Sequence, residues 1–373
     1  MHRRTFLTAS AATATVAALP AVAQSAAPAT AKSPADARFH ALLDKIFYDR
    51  LADNPEGATR LGLDTGPRAA LRSQLNDESA AAQKRELARA KADRAAIKAA
   101  DRAALSPSAQ LDWDILDYQL SRSIAGAERF TYGAAMGRFS PYVLSQLSGA
   151  YRDIPDFLDS QHRIADAADA DAYLERLSAF PKAIDDESER QRADAAKGVF
   201  APDYILDTTL KQLGAARDVA AGDTVLVKSL AAKLKAANLP DERVAKATAI
   251  VEREVFPALD RQRALVTELR AKASHDAGCW RLPDGAAYYA AAAEAATTVK
   301  LSGDEIHKLG LDQVAEISGR IDAILKSQGM TQGTVGERMV ALNQRPDQLF
   351  PNTDPGREEL LALLNSQVKA MYA

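Results

Sequence analysis

Apolar residues recur at steps of three and four along almost the whole chain after residue 35, and that period predicts helices rather than strands. Phe39, Leu42, Leu43, Ile46, Phe47 and Leu51 form the first apolar face. Asn54-Pro55 then sets a capping side chain before a proline at the first helical position, which opens a short helix through Leu61. Residues 77–100 are charged and alanine-rich, the pattern of a solvated helix. Ser106-Pro107 starts another, with Leu111, Ile115, Leu116 and Leu120 on its face. Further helices are predicted over 155–167, 169–197, 202–217, 223–237 and 241–273, punctuated by signals such as Phe200-Ala201-Pro202 and Leu239-Pro240.

Two stretches break this rhythm. Residues 130–155 are rich in Gly, Pro and aromatics, among them Tyr132, Phe139, Tyr142 and Tyr151, and predict a loop-rich aromatic excursion over the bundle. Residues 278–289 read GCWRLPDGAAYY, an aromatic and proline turn. Ser302-Gly303-Asp304-Glu305 is a capping box. Its helix is expected to bury Ile306, Leu309, Val314, Ile317, Ile321 and Ile324. A final helix near Pro355 carries the stripe Leu360, Leu361, Leu364, Val368 and Met371, which must bury, pair with another chain or promote self-association. With no fixed-period repeat to support a solenoid, the fold class is all-α, a multi-helix bundle.

The first 23 residues change the picture. A basic pair, a mildly apolar Ala/Thr/Val/Leu stretch and the small-x-small end Ala21-Val22-Ala23 read as a removable signal peptide. Arg3-Arg4 before Thr5-Phe6-Leu7 resembles the twin-arginine export signal, with a general secretory signal as the alternative. Cleavage near Ala23 would leave a linker at 24–35 and a helical domain at 36–373, delivered to the periplasm or secreted. No later run reaches the ~20 apolar residues that span a bilayer.

Acids and bases are nearly balanced, 50 against 47, and spread along the chain, so there is no footprint for nucleic acid. The lone Cys279 excludes an intramolecular disulfide and a cysteine-based zinc site. Beyond His2, the histidines are His40, His162, His275 and His307, and none belongs to a His-Glu-x-x-His helix. Asp159-x-x-His162-x-x-x-Asp166 would share one helical face, which suits a metal but equally a plain surface network. Asp304 and His307 have an i, i+3 spacing without partners from other helices, and Asp304 is explained as a first-turn acid facing the helix dipole. Ser366-x-x-Lys369 matches the spacing of some acyl enzymes but lacks their companion motifs. Cys279 reads as a packed thiol beside Trp280, and at most one of Tyr288 and Tyr289 can reach a given pocket.

The blocks GCWRLPDGAAYY, TTVKLSGDEIHKLGLDQV and GTVGERMVALNQRPDQLFPNTDPGREELLALL, with FHALLDKIFYDRLADNPEGATRLGLD at the start, together resemble the bacterial domain-of-unknown-function 885 family over residues 36–373. The resemblance implies a helical, often exported, zinc-peptidase-like protein. It implies a metal site on a His-Glu-x-x-x-Pro-Gly-His-His type helix beyond Ala373, and hence a chain truncated before that site, with no cofactor of its own and no activity alone. Trp280, Asp284 and Tyr288 are then candidates for the wall of a peptide cleft. The alternative is a non-enzymatic periplasmic helical module that binds a peptide or a partner protein.

Overall fold

The computed structural model describes residues 33–136 and 138–372. The proposed signal peptide, its arginine pair and most of the linker lie outside the described residues. Within them every regular element is helical, as the apolar period predicts, and the only sheet-like pairs are the isolated bridges Ala134 to Ser140 and Ser145 to Ser148. The described residues divide between two compact units, one within 31–301 and one within 302–373.

In the larger unit, α1 (Pro34–Ala52) starts where the Ser33 hydroxyl accepts from the Asp36 N–H at 3.1 Å. α2 (Pro55–Arg60) starts where the Asn54 side chain accepts from the Gly57 N–H at 2.9 Å. α3 (Ala80–Ala99) and α4 (Pro107–Arg129) pack as a pair, with α1 against them. Phe39, Ile46, Ala90, Ile97 and Leu120 form their shared core. The remaining helices are α5 (Ala150–Ser160), α6 (Ala167–Ala195), α7 (Asp203–Arg217), α8 (Val225–Ala236), α9 (Glu242–Ile250), α10 (Phe256–Lys272) and α11 (Gly285–Thr297). α6 runs through the middle of the main core, where Tyr173, Leu177, Phe180 and Ile184 meet Phe157, Leu213, Leu230, Val255 and Val266. Each such side chain removed from water is worth roughly 1.5 to 3 kcal/mol.

Three expectations need correction here. On α4, Leu111 and Ile115 are exposed, and the helix buries Ala109 and Leu120 instead. The small Ala109 and the Trp113 indole, which donates to the Ile97 carbonyl at 2.8 Å, turn that side of the helix toward α3. The helix expected at 155–167 occupies 150–160. Its first N–H, on Ala150, donates to the buried carboxylate of Glu187 on α6, both oxygens lying at 3.1 Å. A cap supplied from 37 residues away leaves no local sequence signal. Pro155 sits inside the helix and forfeits one backbone bond. The single helix expected at 241–273 is instead interrupted by a π turn at Val251–Val255. That widening lies just before Pro257, whose ring would otherwise meet the preceding turn.

The excursion at 130–149 is irregular, as its composition predicts, but it is not spread over the surface. Phe130, Tyr132 and Leu144 are buried. Three side chains on one face of α6 hold its main chain. Besides Glu187, Gln191 accepts from the Leu144 N–H at 3.4 Å, and Asp194 accepts from the Gly133 N–H at 2.7 Å. Gly133 has φ +58°, and a Cβ there would stand 2.3 Å from the Ser140 carbonyl oxygen, so the turn requires glycine.

The smaller unit holds α12 (Gly303–Ser327), α13 (Val335–Asn343) and α14 (Asp354–Met371). The capping box forms: the Ser302 hydroxyl accepts from the Glu305 N–H at 3.2 Å, and the Ser302 N–H donates to the Glu305 carboxylate at 2.7 Å. α12 packs on α13 through Leu325 and through buried Arg338, which pairs with Asp322 and donates to the Met330 carbonyl at 3.0 Å. The expected burial of the rest of α12 does not occur. Leu309, Ile317 and Ile324 are about half exposed and Val314 is 63% exposed, because α13 is a short partner that meets only the last turns. The α14 stripe of Leu361, Leu364, Val368 and Met371 is exposed as well. No helix among the described residues is long and apolar enough to cross a membrane.

Candidate functional site

A cavity of about 720 Å³ opens in the larger unit between the end of α1, the segment 74–78, α3, α4, the excursion and α6. Its apolar lining includes Leu75, Leu120 and Met136. The same lining carries four arginines, Arg50, Arg85, Arg89 and Arg190, and four carboxylates, Asp53, Asp77, Glu78 and Glu86. Most of these charges are already matched. Arg190 reaches Glu78 at 3.3 Å, Arg85 pairs with Asp77, and Arg50 turns away to Asp93 at 2.8 Å. Arg89 lies 2.7 Å from Asp53, an ion pair whose N–H is not aligned for a hydrogen bond. The Ser79 hydroxyl, with help from Arg85, holds Asp77 down to about 2. Glu86 has neither an ion pair nor a hydrogen bond among the described residues, and the protein packed around it pushes its carboxyl up even though the side chain keeps contact with cavity solvent.

The wall at 74–78 is held from behind. Asn76 and the buried Glu56 bond reciprocally, the Asn76 N–H to the carboxylate at 3.1 Å and the Glu56 N–H to the Asn76 side-chain oxygen at 3.3 Å. Burial raises the Glu56 carboxyl above its ordinary value. Arg176 of α6 is fully buried and donates to the carbonyls of Gln74 at 2.9 Å and Leu71 at 3.0 Å, to the Thr59 hydroxyl at 2.7 Å and to His162 Nδ1 at 2.8 Å. Desolvation lowers even this guanidinium, to about 10.

His162 is therefore not a surface residue on a helix with Asp159 and Asp166. α5 ends at Ser160, and Asp166 instead caps α6 by accepting from the Asp169 N–H at 2.9 Å. The ring is buried, accepts from Arg176 through Nδ1 and donates through Nε2 to the Asp169 carbonyl at 3.0 Å. Burial pulls it down to about 4, so it is neutral near pH 7. With both nitrogens committed it has no lone pair to offer a metal. His275 pairs with Asp203 at 2.8 Å, His40 stands 4.0 Å from Asp112, and His307 is exposed on α12. Among the described residues no three His, Cys, Asp or Glu side chains converge on a metal position.

The residues singled out from sequence go to different places. Trp280 is 70% exposed. Asp284 precedes α11 with φ +53° and pairs with Arg129 at 2.7 Å. Tyr288 is buried, stacks on Tyr132 at 5.4 Å, meets Phe130 and Phe139 edge-on, and donates to the Ala134 carbonyl at 3.0 Å. Tyr289 is exposed, so only one of the pair enters the interior. None of Trp280, Asp284 and Tyr288 lines the cavity. Tyr288, together with Leu282, docks the 279–288 turn against the excursion, and the excursion in turn supplies Ala134 and Met136 to the cavity wall. Cys279 is partly buried in the same cluster. The Ser366 hydroxyl donates to the Leu363 carbonyl of its own helix at 2.7 Å. The cavity residues were overlooked because Arg85, Glu86 and Arg89 lie in a charged run that reads as solvated, and their neighbours come from 50–55, 74–78 and Arg190.

The model of the family described as "Bacterial protein of unknown function (DUF885)" matches residues 55–373. Among solved structures, the chain is similar to one described as "the putative lipoprotein from Colwellia psychrerythraea". The identity is 28% and the TM-score 0.78, over 89% of this chain and 58% of the other, so the chain spans somewhat more than half the length of that relative. No curated protein matches the sequence.

Proposed function

From the premise that the chain belongs to the DUF885 family of bacterial proteins of unknown function, we propose that it is the helical, peptide-accepting part of an exported, zinc-peptidase-like protein. The observation that supports this most is the cavity, whose lining combines arginines and carboxylates with the apolar Leu75, Leu120 and Met136. A peptide offers carbonyl acceptors, N–H donors and apolar side chains along one strand, and such a wall can meet all three. Zinc is the group the family resemblance implies. The described histidines do not fit it, since His162 is spent on Arg176 and Asp169 and the others stand apart. The binding-module alternative uses the same cavity and differs only in the fate of the peptide.

Export through the twin-arginine route belongs to the same reading, and the relative described as a lipoprotein is compatible with it. Replacing Arg3 and Arg4 by Lys should leave precursor in the cytoplasm, because lysine does not reproduce the guanidinium pair; normal delivery of the Lys-Lys variant counts against that route. For the cavity, the full chain is incubated with a mixed peptide pool, with and without added zinc, and retained and cleaved peptides are identified by mass spectrometry. Retention that falls in Arg190→Ala supports the reading, cleavage separates the enzyme from the binding module, and failure to retain any peptide overturns both.

A further inference from the structure

The smaller unit leaves most of its apolar surface in solvent. Leu325 is the one large apolar side chain it buries among the described residues, while α12 exposes Val314, Ile317 and Ile324 and α14 exposes Leu361, Leu364, Val368 and Met371. α13 is the main partner of α12, and α14 has no comparable one among the described residues. The two open faces share one spacing. Val314, Ile317, Ile321 and Ile324 follow one another at three, four and three residues, and so do Leu361, Leu364, Val368 and Met371. That is the seam of a coiled coil, and its narrow width suits one further helix. The seams are also equally long: Gly310 and Gln328 stand at the next positions on either side of the first, and Arg357 and the end of α14 bound the second.

Charge runs the same way along both helices. In α12, four acids stand against Lys308 up to Glu316, and beyond it Arg320 and Lys326 stand against Asp322. In α14, Asp354, Glu358 and Glu359 stand against Arg357 at the start, and Lys369 is the charged side chain near the end. Laid in the same direction, the two helices would set like charge beside like. Laid antiparallel, each acidic start meets a basic end, and the helix dipoles oppose as well. We propose that α14 of one copy lies antiparallel along the α12 seam of a second copy of this chain, whose own α14 covers the first copy's α12 in return. Aligning the seams sets Val314 against Met371, Ile317 against Val368, Ile321 against Leu364 and Ile324 against Leu361. Such a reciprocal contact closes as a two-fold dimer, with both seams covered and no place for a third copy. It is independent of the cavity, which belongs to the larger unit.

The test is sedimentation of the full chain across a dilution series. Monomer and dimer should exchange with concentration, and Ile317→Asp or Leu364→Asp should each weaken association about tenfold or more. Val340→Asp, an exposed position on α13 outside both seams, should leave it unchanged. Both seams are open in the single chain, so melts of dilute protein should match the wild type and check that each variant is folded. Oxidation then reads the pairing: Ile321→Cys mixed with Leu364→Cys should give a disulfide-linked pair that neither variant gives alone above the wild-type level set by Cys279. A chain that stays monomeric at every concentration overturns the proposal, as does association that survives both aspartate variants in folded protein. Cross-linking of Ile321→Cys to itself overturns the pairing of α12 with α14. A monomer that binds the separately expressed remainder of the longer Colwellia psychrerythraea relative overturns it too, since the faces then belong to a different occupant.

Discussion

Helices α6 and α12 have 29 and 25 residues and are the two longest among the described residues. Their sequences suggest the opposite of what they do. α12 carries a regular stripe of isoleucine, leucine and valine behind a full capping box, yet among its residues only Leu325 is fully buried. α6 is crowded with acids, arginines and a central proline, yet it buries thirteen residues, including Arg176, Glu187, Ser188, Gln191 and Asp194. The difference lies in the partners. α6 is met by α5, α8, α9, α10 and the short helical turn before α3, whereas the main partner of α12 is the short α13. An apolar period specifies which face a helix would bury; whether it is buried depends on what else arrives there.

The sharpest way to break this comparison is to remove the polar centre of α6. Arg176→Met keeps much of the volume but leaves the Gln74 and Leu71 carbonyls, the Thr59 hydroxyl and His162 Nδ1 without their donor. Urea unfolding should show a loss of about 3 kcal/mol or more. A loss below about 1 kcal/mol would mean that these bonds are replaced by water.

Glu187 gives a pH-dependent version of the same test. Burial pushes its carboxyl up to about 8 from an ordinary 4.5, against the lowering effect of the Ala150 N–H. Between those values the folded chain binds a proton that the unfolded chain has released. Its contribution to stability is therefore full below about 4.5, is lost as pH rises toward 8, and stays lost above, with a slope of at most about 1.4 kcal/mol per pH unit. His162 acts in the opposite sense: its ring is depressed to about 4, so its contribution is lost as pH falls from 6.5. The difference between wild type and Glu187→Gln isolates the first effect, and parallel stability curves for the two proteins from pH 5 to 8 would show that Glu187 is ionised inside the fold.

The smallest effect is expected on α14. Leu364 is about half exposed, so Leu364→Asp should change stability by no more than about 0.5 kcal/mol. The same substitution should lower hydrophobic-dye binding and self-association, measured by fluorescence and sedimentation. A large loss of stability would mean that the stripe is covered in solution.

The helical class and most helix starts were legible because their signals are local. Ser33, Asn54, Ser106 and Ser302 each cap the helix that follows within three residues. The start of α5 was not legible, since its cap is the Glu187 side chain and its proline sits inside the helix. The cavity was hidden for a related reason: Glu86, Glu78 and Arg190 gain meaning only when α3, the 74–78 segment and α6 are brought together. The aromatic turn around Trp280 and Tyr288 was conspicuous in sequence, and the structure shows Tyr288 packed against the excursion with Trp280 left in solvent.

The bonds by which Gln191 and Asp194 hold the excursion, and Glu187 the first residue of α5 behind it, all end on main-chain N–H groups. A tether of this kind does not read the loop's side chains, apart from the glycines demanded at Gly133 and Gly149. Ala134 and Met136, which the same loop contributes to the cavity, can therefore change without loosening its attachment. For protein engineering this singles out two positions in a loop whose Phe130, Tyr132 and Leu144 are fixed by burial: substitutions at Ala134 and Met136 would reshape the pocket for a different ligand while α6 keeps hold of the backbone.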